Sequence, residues 1–147
     1  MMKIVVVSDS HHNKVILEQI VKRHPDASLF LHAGDSCLSI QEIPPYLSVK
    51  GNCDREEYPK ERVIPTPYGL LVILHGHQLF FNSQQFLQKK QAKILIVGHT
   101  HQHKMMQYQD AYVFNPGSVS LPRDKTNGTY LILYIEKESV AYEFVYM

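Results

Sequence analysis

Ile94-Leu95-Ile96-Val97-Gly98-His99-Thr100-His101 is an apolar run that ends abruptly in a glycine and two histidines. Four aliphatic residues bounded by turn formers read as an interior strand. Histidines two positions apart, in chain still extended or just leaving that strand, project to one side and can reach one metal. The same arrangement, a short buried strand with ligand-type side chains at its end, recurs along the chain, and that recurrence decides the fold.

Residues 3–8 hold the run Ile4-Val5-Val6-Val7 and lead into Asp9-Ser10-His11-His12-Asn13. Asn13 is placed to cap a helix in which Ile16, Leu17, Ile20 and Val21 share a face and which Pro25 ends. A second run, 28–33, ends in Gly34-Asp35, and a third, 46–50, in Gly51-Asn52-Cys53-Asp54. Residues 62–66 and 70–74 flank Pro67-Tyr68-Gly69 as a hairpin whose second strand ends in His75-Gly76-His77. Residues 82–90 read as a short helix capped by Asn82 or Ser83, with Phe86 and Leu87 on its apolar face. Beyond the histidine pair come a strand pair at 104–107 and 111–114, the turn Asn115-Pro116-Gly117-Ser118, and a hairpin at 129–135 and 140–146. Strand-loop-helix order favours a parallel α/β core, and the antiparallel end of the chain makes the sheets mixed. At 147 residues, with no repeat or linker, one domain spanning 1–147 is expected.

Hydrophobic residues at 44% and charged residues at 20% are ordinary for a globular protein and argue against disorder. A net charge of +1 points neither to a nucleic-acid coat nor to a membrane surface, and no run reaches membrane-spanning length. The first apolar block is too short for a signal peptide. Cys37 and Cys53 make no disulfide framework and are expected as reduced thiols in a cytoplasmic protein. Histidine is the unusual residue: there are nine, and His11, His12, His75, His77, His99, His101 and His103 fall in three clusters. His24 and His32 read as ordinary surface or core residues.

Ligands of open α/β sheets bind outside the carboxyl ends of the strands. If the five runs lie side by side, Asp9, His11, Asp35, Asn52, His75, His99 and His101 converge at one edge. Seven oxygen and nitrogen donors exceed the needs of one transition metal but suit two that share a carboxylate, roughly 3.5–4 Å apart. Two dications against the charges of Asp9 and Asp35 leave a positive centre, suited to a hydroxide nucleophile and an anionic phosphate ester. Donors without thiolate suit manganese first, with nickel, zinc, iron or cobalt as alternatives. Ser10 and Ser118 lie outside any Gly-x-Ser-x-Gly elbow, so a serine nucleophile is not expected.

Asp-x-His, Gly-Asp, Gly-Asn-x-Asp, His-Gly-His and Gly-His-x-His, in that order from Asp9 to His101, resemble the calcineurin-like metallophosphoesterases, in particular their short bacterial and archaeal phosphodiesterase branch. Asn115-Pro116-Gly117-Ser118 with Pro122-Arg123 is similar to that branch as well. The resemblance implies a four-layer α/β/β/α sandwich with two mixed sheets. It implies Asp9, His11, Asp35 and His101 around one metal, and Asp35, Asn52, His75 and His99 around the other, with Asp35 as the bridge. The last four are then the residues nearest the chemistry, in which a metal-activated hydroxide attacks phosphorus.

His12, Asp54, His77, Ser118 and Arg123 are the candidates for substrate contact, and His103 is a candidate support for the ligands. In nuclease branches of the family a histidine follows the motif asparagine and is thought to protonate the leaving group; here that residue is Cys53, a poorer general acid at neutral pH. The expected function is hydrolysis of small phosphodiesters, with monoesters as further substrates. A protein-binding scaffold of the same fold, like the family's retromer-subunit relatives, and a metal-dependent nuclease are the alternatives. The expected partner is the small phosphate ester; a homo-oligomer is left open.

Overall fold

Val5 and Val7 face one side of the first strand and Ile4 and Val6 the other, and all four are fully buried, so this strand must be covered on both faces. The computed structural model, which describes residues 1–55, 57–76 and 82–147, provides both covers. The elements run β1 (Met2–Val7), α1 (Lys14–Arg23), β2 (Leu29–His32), β3 (Leu47–Ser48), β4 (Glu61–Thr66), β5 (Gly69–Leu74), α2 (Ser83–Lys90), β6 (Ile94–Ile96), β7 (Lys104–Tyr108), β8 (Ala111–Asn115), β9 (Thr129–Ile135) and β10 (Val140–Tyr146). They form two five-stranded sheets, ordered β10-β9-β1-β2-β3 and β4-β5-β6-β8-β7. In the first, β1, β2 and β3 are parallel and β9 and β10 antiparallel. In the second, β5, β6 and β8 are parallel, with β4 and β7 as antiparallel edges.

Three apolar layers hold the stack. Ile4, Val6, Leu31, Leu131 and Leu133 of one sheet pack against Leu71, Ile73, Ile94, Ile96 and Phe114 of the other. Val5 and Val7 turn outward onto Leu17 and Ile20 of α1, and Val72, Leu74 and Leu95 onto Phe86 and Leu87 of α2. The architecture is therefore the expected α/β/β/α sandwich. Both helices start where a side chain satisfies free amides: the Asn13 Oδ1 accepts from the Ile16 N–H at 3.2 Å, and the Asn82 Oδ1 from the Gln84 and Gln85 N–H groups.

One expectation changes in form. The five motif-bearing strands do not lie side by side: β1, β2 and β3 belong to one sheet and β5 and β6 to the other. Their ends meet because the sheets stack with the carboxyl ends of the parallel strands at a common edge, where the Gly98 N–H donates to the His75 carbonyl and the His75 Nδ1 to the Ala33 carbonyl at 2.8 Å. The β1–β2 pairing continues past the strands, since Ala33 N–H donates to Val7 O, Asp9 N–H to Gly34 O, His11 N–H to Asp35 O and His12 N–H to Ser36 O. Two loops that leave different strands thus travel together and deliver Asp9, His11 and Asp35 in fixed register.

Candidate metal centre

Asp9 is fully buried one residue beyond the serine that ends the first apolar run. Its Oδ2 accepts from the Ser8 hydroxyl at 2.5 Å and from the His99 N–H at 3.1 Å. Its Oδ1 is buried with no hydrogen-bond partner, 3.3 Å from the His101 Nε2 and 3.8 Å from the His75 Nε2. The His11 Nε2 is likewise buried and unpartnered, and stands 3.9 Å from the Asp35 Oδ2. That same Asp35 oxygen is 3.2 Å from the His75 Nε2, which is 3.0 Å from the Asn52 Oδ1. Ligand atoms of Asp9, His11 and His101 form one tight group and those of Asp9, Asp35 and His75 another, so the Asp9 carboxylate belongs to both. The His99 ring lies 5.2 Å from that of His75.

These atoms fit metal ions better than they fit one another. An unpaired carboxylate oxygen in a dry interior is costly, and a cation between the Asp9 Oδ1, the His11 Nε2 and the His101 Nε2 would satisfy all three. Two buried histidines of the centre, His75 and His101, are already oriented for this purpose. His75 donates its Nδ1–H to the Ala33 carbonyl and His101 to the Leu121 carbonyl at 2.6 Å, which turns each Nε2 into the centre, the usual support of a metal-binding imidazole. The charge balance agrees. Burial pushes the His75 pKa down, but the hydrogen bond to Asp35 and the charges of Asp9 and Asp35 outweigh it and the pKa is raised. Burial pushes Asp35 up, yet hydrogen bonds from His75 and from the Cys53 N–H, together with nearby imidazole charge, hold it at about 2.

The loops reach this arrangement through unusual backbone. Asp9, His11, His12, Asp35, Cys37, His99 and His101 all have positive φ, a region that non-glycine residues seldom occupy. The extended geometry expected for the histidine pairs therefore does not hold. His99 and His101 diverge, His99 exposed towards His75 and His101 buried beside Asp9, because each residue turns left-handed. Glycines make room for the ligands: a Cβ on Gly98 would stand 2.2 Å from the Ser8 Oγ, and one on Gly51 2.1 Å from the Asp35 Oδ1.

The residues expected at the substrate separate. Asp54 is buried and accepts from the backbone N–H groups of Asp35, Cys37 and Gly51, so it clamps two ligand loops together. Ser118 is fully buried, donates to the Asp9 carbonyl at 2.7 Å and accepts from the Ser120 and Leu121 N–H groups. His12 and Arg123 are exposed at the rim, and the Arg123 N–H donates to the His101 carbonyl. His77 lies outside the described residues. His103 points away from the ligands to Asp124, at 2.6 Å.

Cys37 and Cys53 are not free thiols. They are joined by a disulfide across 16 residues of chain, with a Cα–Cα separation of 5.4 Å, because the Asp54 clamp and the hydrogen bond from the Cys53 N–H to Asp35 bring their loops together. The thiol argument for a reducing compartment therefore falls away. Among the described residues no helix is long and apolar enough to cross a membrane.

Other contributors are missing from the sequence reading. Buried His32 accepts from the Gly34 N–H at Nδ1, so its Nε2 carries the proton and donates to the Ser10 Oγ at 2.8 Å, tying the two loops. The Asn115 Nδ2 holds Gly98 and Thr100. His32 had one visible signal, its place at the end of an apolar run just before Gly34-Asp35.

Known proteins share this framework. The family model described as the calcineurin-like phosphoesterase superfamily domain matches residues 2–138. A Bacillus subtilis protein named probable metallophosphoesterase YsnB is 30% identical over 152 residues, covering 97% of this chain and 90% of that one. Escherichia coli phosphodiesterase YfcE is 31% identical over 97 residues, 59% of this chain and 51% of its own. The crystal structure of a predicted phosphoesterase from Streptococcus pneumoniae superposes with a TM-score of 0.88 at 28% identity, covering 99% of this chain and 89% of that one.

Proposed function

The chain belongs to the calcineurin-like phosphoesterase superfamily, and from that premise we propose that it is a dinuclear-metal phosphodiesterase acting on small phosphate esters. The observation that carries the reading is the pair of buried atoms without partners, Asp9 Oδ1 and His11 Nε2, beside the Asp9 carboxylate common to both groups and the Asp35 Oδ2, which lies 3.9 Å from the His11 Nε2 and 3.2 Å from the His75 Nε2. Asp9, His11 and His101, with Asp35, would hold one ion; Asp35, Asn52 and His75, with His99, would hold the other. When bound, such ions supply Lewis acidity and activate water near neutral pH.

This chain's own residues set the rest. Asp9 and Asp35 offset part of the ionic charge and leave the centre attractive to a phosphate anion. Exposed His99, Asn52 and His12 line the rim by which an ester would approach, which gives an open and weakly selective site. Cys53, bonded to Cys37, has no proton to give a leaving group. Esters with good leaving groups should therefore react well and nucleic acids poorly, which sets the nuclease reading second. The scaffold reading ranks below catalysis because every ligand position holds a ligand-type side chain.

The test is metal analysis of the purified protein, then turnover of bis-p-nitrophenyl phosphate and p-nitrophenyl phosphate with manganese as the first metal tried. About two ions per chain, faster diester hydrolysis, and loss of activity in Asp35→Ala and His99→Ala are expected. Two bound ions without turnover of either ester would overturn the catalytic reading, and a chain that binds no ion would overturn the site.

A further inference from the structure

We propose that Cys37 and Cys53 form a redox-modification site, opened by a dithiol, that controls how tightly the centre holds its metals. The inference rests on the reading of that centre as metal-binding. The disulfide joins the loop that carries Asp35 to the loop that carries Asn52. On one side, the Cys53 N–H donates to the Asp35 Oδ1 at 2.9 Å, so the position of Cys53 sets the orientation of that carboxylate. On the other, the Cys37 Sγ lies 3.7 Å from the His11 Nδ1. His75 and His101 rest their Nδ1–H groups on carbonyl oxygens, whereas the contact described at the His11 Nδ1 is this sulfur. Both flanks of the disulfide thus bear on metal-binding side chains. Cys53 is exposed and Cys37 half-buried, so a reductant can reach the bond.

The chemistry is thiol–disulfide exchange. A thiolate of the dithiol attacks the Cys53 Sγ, the Cys37–Cys53 bond breaks, and the Cys37 sulfur leaves with the bonding pair and takes up a proton. The second thiol of the reductant then attacks the mixed disulfide and releases Cys53, which takes up the second proton. The reductant ends as a disulfide, and its two electrons reside in the two cysteines.

Sulfurs that are no longer bonded must part to van der Waals separation. That movement spreads the two loops, draws the Cys53 N–H from Asp35 and shifts the sulfur beside His11. The loops do not come apart, since the Asp54 carboxylate still bridges the Asp35, Cys37 and Gly51 amides. Reduction therefore weakens the centre without dismantling it. Loss of supporting contacts around metal ligands typically lowers affinity by ~10–100-fold.

The experiment is calorimetric titration of the whole protein with Mn²⁺, in the air-oxidised form and after dithiothreitol reduction and its anaerobic removal, with thiols counted in each. We expect no titratable thiols and tight binding when oxidised, and two thiols with at least about tenfold weaker binding when reduced. By linkage, saturating Mn²⁺ should lower the disulfide's midpoint in dithiol/disulfide buffers by ~30 mV for each tenfold difference in affinity. The Cys37→Ser/Cys53→Ser variant should bind like the reduced protein and ignore dithiothreitol. Equal affinities in both forms, a variant that still responds to dithiothreitol, or two thiols that no such buffer can close would each overturn the switch and leave the metal centre standing. Mn²⁺ bound by neither form would overturn both.

Discussion

His32 should make the protein acid-sensitive in a way that one substitution can remove. It is completely buried, and burial is the largest influence on it, with the charges of His75 and His11 acting in the same direction and those of Asp54 and Asp35 opposing; its pKa falls from 6.5 to about 4. A depressed histidine contributes stability that is whole above the unfolded value. That contribution is lost as pH falls, because the unfolded chain takes up a proton that the folded chain refuses until the folded value is reached. With these two values the loss is about 2 kcal/mol at pH 5 and about 3 kcal/mol at pH 4. His32→Gln keeps a donor near Ser10, forfeits the acceptor for the Gly34 N–H and cannot titrate. Its baseline should fall by about 1–3 kcal/mol at pH 7, the usual cost of a buried donor left unpaired. Urea unfolding of the metal-free protein and of the variant at pH 7, 6, 5 and 4 separates the effects. The two stability curves should converge as pH falls, by about 2 kcal/mol between pH 7 and pH 5. A constant offset would refute the reasoning, since it would mean that His32 takes up its proton in the folded state as readily as in the unfolded chain.

Three further outcomes bear on the centre. Gly98→Ala should retain its circular dichroism spectrum yet bind fewer than two Mn²⁺ by calorimetry, because the new Cβ falls 2.2 Å from the Ser8 Oγ and 2.8 Å from the Asp9 Oδ2. His101→Ala should first empty the position of Asp9 and His11, and His99→Ala the position of His75; metal titrations in which both variants lose the same ion would refute that division. Apparent Mn²⁺ affinity should rise with pH from 6 to 8, since the raised His75 pKa means that the ion must displace a proton there, and proton release measured in buffers of differing ionisation enthalpy checks it.

Much of the fold was legible because its strands are short and two-faced. Ile4-Val5-Val6-Val7 and Ile94-Leu95-Ile96, short and bounded by turn residues, read as interior strands, Asn13 marks the first helix start, and Asn82 is the one of two candidate caps that starts the second. The seven positions proposed as ligands stood out for a related reason: a glycine or serine turn followed by an aspartate, asparagine or histidine marks the place where a buried strand reaches water. What the sequence did not disclose is how the loops are fastened. Asp54, Ser118 and Arg123 read as polar residues free to meet a substrate, but Asp54 and Ser118 are spent on backbone groups across the chain. Such partners are set by loop proximity in space, which local spacing does not encode. The same holds for Cys37 and Cys53, whose 16-residue separation becomes bonding distance only after β2 and β3 pair.

The left-handed residues explain why that fastening is needed. Each non-glycine residue at positive φ costs roughly 1–2 kcal/mol, and seven of them lie in the ligand loops. Loops under that load would relax if left alone. They are held instead by the continued β1–β2 pairing, by His32, Ser8 and Ser118 on the Asp9 loop, by Asp54 between the Asp35 and Asn52 loops, and by Asn115 on the loop of Gly98 and Thr100. A sharp left-handed turn is what lets a side chain project past the strand end into the common space rather than up or down from the sheet. The polar residues around the ligands are thus the reason the ligands can converge. Cutting one fastening should degrade metal binding before it unfolds the sandwich, whose three apolar layers are built mainly from the strands and the two helices.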